Sequence, residues 1–162
     1  MSTALDSYGK YAHLIFSWLA DRPSVQGHTL AVYTVSQTIG ITRGQVVFRS
    51  GYTLHVFEQI DFVAHRILKY FYEVTYRGES LWWYDSMPHP DVLELQSTHP
   101  HHKHVPPDVK HHRIPAPGLS FTAPNLPQLI EEIEAIIATI GNEDHVPTSC
   151  AAPAPGPRAV RN

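Results

Sequence analysis

Cysteine is almost missing from this 162-residue chain, where Cys150 stands alone. One thiol cannot close an internal disulfide, and a structural zinc would have to be built from histidine and carboxylate. No apolar run approaches the roughly twenty residues that span a bilayer. The opening MSTALDSYGKYAHLIF lacks the basic segment, apolar block and small-residue cleavage site of a secretory leader, so the expected location is the reducing cytoplasm. Neither sign of charge is in excess. A net charge of -3 with neutral histidines gives no global pull on nucleic acid or an anionic membrane, so any polyanion site must be a local patch. A phosphate-binding glycine loop, a nucleophile elbow and a dinucleotide fingerprint are also absent.

What remains is an ordinary globular composition, 43% hydrophobic and 17% charged. That length and balance suit a single α+β domain over residues 1–142, with a disordered Pro/Ala-rich tail over 143–162. Tyr8, Tyr11, Ala12, Ile15, Trp18 and Leu19 recur at helical spacing, with Asp6 or Ser7 to cap the start and Pro23 to stop continuation. Residues 28–40 are β-prone. Residues 42–60 and 66–85 read as hairpins turning at Ser50-Gly51 and Arg77-Gly78-Glu79. In the second strand of the first hairpin, Tyr52, Leu54, Val56 and Ile60 share one face. Leu68, Tyr70, Tyr72, Val74 and Tyr76 share a face in the next. An antiparallel sheet of about five strands is expected, because short connections force antiparallel neighbours.

From Met87 to Pro124 the period is lost and prolines recur, giving a long irregular His/Pro-rich segment. A C-terminal helix follows over 125–142, with Leu126, Leu129, Ile130, Ile133, Ile136, Ile137 and Ile140 as its apolar stripe. Asn125 is its expected cap.

The irregular segment carries HPHHKHVPPDVKHHR, residues 99–113, in which six of fifteen residues are histidine. Three readings compete. A metal site can begin with His102 and His104, which share a face if extended, as do His99 and His101. Asp85, Asp91 and Asp108 offer further ligands, yet no spacing matches a recognised metal signature. A solvated loop of biased composition explains any single histidine, and is the reading for His13, His28, His55, His65 and His145.

The third reading is phosphate chemistry. Metal-free RNA cleavage needs a base, an acid and a cation at the transition state. His101, His102 and His104 suit the first two roles, since imidazole titrates near neutrality. Lys103 suits the third, with Lys110 and Arg113 nearby. Tyr84 and Asp85 end the preceding strand and point its last side chains toward the loop as orienting partners. Glu58 and Glu73 are most simply exposed strand carboxylates, and Glu131, Glu132 and Glu134 the wet face of the last helix.

Four stretches taken together, GITRGQVVFRSGYTLHVFEQID, RILKYFYEVTYRGESLWWYDSMPHP, HPHHKHVPPDVKHHRIPAP and PNLPQLIEEIE, resemble the TumE family of toxin–antitoxin toxins. The Pro-His-His-Lys-His core at 100–104 and the Tyr-Asp pair at 84–85 are its specific marks. Where the family commonly has two histidines after that pair, this chain has His89. The resemblance implies a cytoplasmic toxin silenced by a helix-turn-helix antitoxin, with RNA as the candidate target. The expected function is the toxin of a two-component module, acting without cofactor as a metal-independent endoribonuclease, a chemistry that rests on the His-rich segment and is not implied by the resemblance. A non-catalytic binding module and a metal-dependent hydrolase are the alternatives.

Overall fold

The computed structural model describes residues 3–143, and the tail expected over 143–162 lies almost wholly outside them. Helix α1 spans Tyr8–Ala20 and buries Tyr11, Ile15 and Leu19 at every fourth position, with the Ser7 side chain accepting from the Lys10 N–H. Six strands follow: β1 (Val25–His28), β2 (Ala31–Thr34), β3 (Ile39–Phe48), β4 (Tyr52–Asp61), β5 (Arg66–Tyr76) and β6 (Glu79–Asp85). The irregular segment then supplies a 3-10 turn over Leu93–Thr98 and two short strands, β7 (His102–His104) and β8 (Arg113–Pro115). Helix α2 runs over Leu126–Glu143.

The sheet is antiparallel and eight-stranded, in the order β1-β3-β4-β5-β6-β7-β8, with β2 also on β3. The expectation of about five strands falls short for two local reasons. The 28–40 stretch divides into separate elements, because the edge of β3 is shared by β1 over Val46–Phe48 and by β2 over Gly40–Arg43. Between them the chain crosses Gly44, whose φ is +139° and whose added Cβ would lie 2.5 Å from the Thr29 carbonyl oxygen. Only glycine tolerates both. The β7 and β8 strands were hidden because their three-residue runs are too short to carry a period.

Both helices lie on one face of the sheet. Leu126, Leu129, Ile130 and Ile133 of α2 are at most 1% exposed, whereas Ile140 at the far end of the stripe is 47% exposed. Asn125 does not use its side chain to cap the helix. It is buried, accepting from the Ser120 N–H and donating to Tyr72 Oη and the Ser120 carbonyl.

Two register shifts alter the alternation expected in β5. One, opposite Gln59/Ile60, turns Ile67 inward and leaves Leu68 39% exposed; the other lies at Val74/Thr75. Glu58 belongs to the buried set of β4 and is fully enclosed, accepting from Tyr11 Oη and, at 2.6 Å, from Tyr72 Oη. It is therefore not the exposed strand carboxylate its charge suggested. Burial raises its pKa, against the opposing effect of the tyrosine hydroxyls. No helix among the described residues is long and apolar enough to cross a membrane.

Candidate functional site

Strand pairing decides which side chains meet. On the helix-covered face, one row across the sheet reads Val56–Tyr72–Tyr84–Lys103–Ile114. On the opposite, helix-free face, two rows read Arg43–Phe57–Phe71–Asp85–His102 and Gln45–His55–Glu73–Trp83–His104–Arg113. The period of two in β7 thus separates Lys103 from the histidines on either side of it.

Lys103 pairs with Glu132 of α2 and lies over the rings of Trp82 and Tyr84, 4.7 and 4.9 Å from their centroids. Tyr84 donates its hydroxyl to the same carboxylate, 2.6 Å from Oε2. Burial and the Glu132 carboxylate push the Tyr84 pKa upward, so it stays a neutral donor. Glu132 therefore clamps α2 to β6 and β7, and is not simply the wet face of a helix. Glu134 likewise binds Arg22 and Ser24, joining α2 to the end of α1. His101 precedes β7 and stacks on Tyr70, whose hydroxyl lies 2.7 Å from Nδ1, with its ring edge-on to Phe121.

His102 and His104 converge on the open face. His102 Nε2 is 3.0 Å from Asp85 Oδ1, His104 Nε2 is 3.4 Å from Asp85 Oδ2, and the two Nε2 atoms are 3.1 Å apart. The imidazoles are buried, while the Asp85 side chain remains 23% exposed. Each ring has its other nitrogen tied to a backbone carbonyl: His102 Nδ1 to Pro100 O at 3.0 Å, and His104 Nδ1 to Val109 O at 2.8 Å. A carbonyl only accepts, so each Nδ1 donates, and each Nε2 is left facing the carboxylate and the other ring. His104 is also stacked on Trp83, with centroids 4.5 Å apart.

The charge states follow from this packing. Burial raises the Asp85 pKa, but the His102 hydrogen bond, the Met87 N–H and the neighbouring imidazoles outweigh it, and the net shift is downward. Burial lowers the His104 pKa, with the Val109 carbonyl and Asp85 opposing. His89 lies edge-on to His102, with centroids 4.8 Å apart, and its pKa is lowered by burial and then by the Arg113 charge.

The sequence placed His101, His102, Lys103, His104, Tyr84 and Asp85 in one candidate set. The structure brings together Asp85, His102 and His104, and puts Lys103 and Tyr84 across the sheet. Sequence reasoning named Arg113 only as nearby charge and gave His89 no role. Arg113 faces His104 across the β7–β8 ladder, and its Nε is buried without a partner among the described residues.

A cleft of about 600 Å³ opens beside Asp85 and is lined in part by Phe57, Lys69, Phe71, Met87 and Phe121. Another of about 570 Å³ lies at the α1–β1 end and includes none of the cluster residues.

Neither a curated protein nor a solved structure matches the chain. The family model described as Toxin TumE matches residues 15–137, most of the chain, and bears out the resemblance read from the four sequence stretches. The chain belongs to the TumE family of toxins, and with that family goes a place in a toxin–antitoxin module and a cognate antitoxin as partner.

Proposed function

We propose that this toxin is an endoribonuclease whose reacting centre is the Asp85–His102–His104 cluster on the open face of the sheet. The observation that carries this reading is the convergence of two oriented imidazole Nε2 atoms and one carboxylate on a face that also bears aromatic rings and cations. Phe71 is 38% exposed, and Phe57 and Trp83 are its cross-strand neighbours on that face. Rings set in rows suit unpaired bases, because every base has a face to stack. Lys69 beside Phe57 and Arg43 at the β3 end of the Asp85 row add positive charge along the same path for the phosphates.

Strand cleavage requires an oxygen nucleophile to lose its proton, the leaving 5′-oxygen to gain one, and negative charge on the phosphorus-bound oxygens to be stabilised. The electron-rich cluster activates the nucleophile. Arg113, beside His104, supplies the planar cation that matches two phosphate oxygens, the task assigned to Lys103 from sequence. His89, edge-on to His102, takes a proton from solvent and passes it to the leaving oxygen. A small helix-turn-helix antitoxin that covers this face would silence the toxin.

Purified protein incubated with single-stranded RNA should cut it. His104→Gln and Arg113→Ala should each lower the rate by about 100-fold, comparable to removing a transition-state donor. Intact RNA after incubation with folded wild-type protein, together with tight capture of the antitoxin, would replace this reading with that of a non-catalytic binding module.

A further inference from the structure

We infer that Asp85, His102 and His104 form a binding site for one divalent first-row transition-metal ion. Both Nδ1–H groups are committed to backbone carbonyls, so both Nε2 atoms point inward, 3.1 Å from each other and 3.0 and 3.4 Å from two different oxygens of Asp85. Two acceptor nitrogens and a carboxylate at such distances hold together around a positive charge, which a proton on one ring or a metal ion shared by all three supplies. Each separation, with the two imidazoles facing different Asp85 oxygens, is of the size found between neighbouring ligand atoms in a coordination shell. Ligands about 2.0–2.1 Å from a zinc-sized ion stand about 2.9–3.4 Å from one another. One ligand atom from each of the three residues lies within 4.8 Å of the other two.

The surroundings fit as well. A histidine that binds metal donates its other N–H to a carbonyl or carboxylate, which fixes the ring and raises its basicity. Pro100 and Val109 do this for the two rings. Trp83 stacks on His104 and holds that ring in place. The imidazoles are 1% and 4% exposed, so they need not move to bind.

Three protein ligands with the carboxylate side open leave room for water or a phosphate oxygen, the pattern of catalytic rather than structural sites. Two nitrogens and one carboxylate favour Zn²⁺, Mn²⁺, Fe²⁺ or Co²⁺ over Mg²⁺ and Ca²⁺, which prefer all-oxygen shells. Arg113 opposes a cation nearby, and the Asp85 charge offsets it. In an RNA-cleaving toxin the ion would activate the nucleophile in place of a free imidazole, but the site itself does not depend on that substrate.

The test uses untagged full-length protein stripped with a chelator, then titrated with Zn²⁺ by calorimetry and with Co²⁺ by visible absorption. One equivalent of Zn²⁺ should bind and raise the melting temperature, and Co²⁺ should show bands of nitrogen and oxygen ligation. His104→Gln and Asp85→Asn should each weaken Zn²⁺ by more than about 100-fold, beyond the loss typical of an outer hydrogen-bond partner. The exposed pair His111→Gln/His112→Gln should leave it unchanged. If His104→Gln does not fold by circular dichroism, Asp85→Asn, at the end of β6, decides the question. No Zn²⁺ uptake, uptake indifferent to the folded cluster variants, or uptake lost with His111 and His112 overturns the site. Zn²⁺ held by these three residues without RNA cleavage supports the site and defeats only the nuclease reading. Cleavage by metal-free protein in excess chelator supports the nuclease reading and overturns a catalytic metal.

Discussion

Lys103→Met separates the two faces of the sheet more sharply than any other single change. Sequence alone made Lys103 the cation of the reacting centre. In the structure its ammonium group belongs to a clamp with Glu132, Trp82 and Tyr84 on the helix-covered side. Methionine keeps most of the aliphatic stem over the rings and removes the charge.

The side chains of Lys103 and Glu132 are 19% and 29% exposed, so their ion pair lies near the upper end of the surface range, about 1 kcal/mol. Charge over aromatic faces adds about 0.5–1 kcal/mol and overlaps with that figure. Glu132 keeps the Tyr84 hydroxyl and water as partners, so no stranded buried carboxylate adds to the cost. The loss should be about 1–2 kcal/mol. For a chain of this size that lowers the melting temperature by about 3–6 °C.

RNA cleavage at a temperature well below that midpoint should change by less than about threefold. A transition-state cation would behave in the opposite way, since a 100-fold loss of rate corresponds to about 2.7 kcal/mol of barrier with little change in stability. The assay pairs thermal unfolding with cleavage kinetics, and adds Glu132→Gln to close a double-mutant cycle with a coupling near 1 kcal/mol. A 100-fold slower Lys103→Met with an unchanged melting temperature would refute the assignment of Lys103 to the structural face.

Three further outcomes are expected. Because burial raises the Glu58 pKa in the folded state, its contribution to stability is fully present below the unfolded value near 4.5 and declines as pH rises through the folded value. Melting curves from pH 4 upward should show that decline in the wild type and a flatter profile in Glu58→Gln; a wild type that gains stability over the same rise would contradict it. Phe71→Ala and Trp83→Ala should each weaken single-stranded RNA binding by about 1–3 kcal/mol, with unaltered salt dependence, as measured by fluorescence anisotropy. Gly44→Ala should unfold the protein or lower its denaturation midpoint severely, because the added carbon meets the Thr29 carbonyl at 2.5 Å and the φ is +139°. A near-neutral result would refute the shared-edge account of β3.

The parts legible in the sequence were those governed by local period. The stripe of α1, the alternation in β4 and the two hairpin turns all followed from spacing and glycine placement. The sequence offered a shared face for His102 and His104 only on condition that their segment is extended, and the β6–β7 pairing meets that condition. Asp85 was legible as a strand-end acid close to the irregular segment.

The rest depended on contacts between positions remote in sequence. Glu58 looked like surface because it is charged, yet Tyr11 and Tyr72, 47 and 14 positions away, supply the hydroxyls that let it be buried. Glu132 looked like the wet side of a helix until α2 was laid across β6 and β7. Arg113 reaches the site only through the β7–β8 ladder, where it stands opposite His104.

The sequence by itself determined that this protein is built from a helix, β-hairpins and a second helix, and that its titratable nitrogens gather in one proline-bounded segment. Those properties are set by neighbours along the chain. Tertiary structure alone decided which of those nitrogens share a surface. A backbone of alternating side chains sends His102 and His104 one way and Lys103 the other, and only the pairing of β7 with β6 brings Asp85 to the former and leaves Tyr84 with the latter.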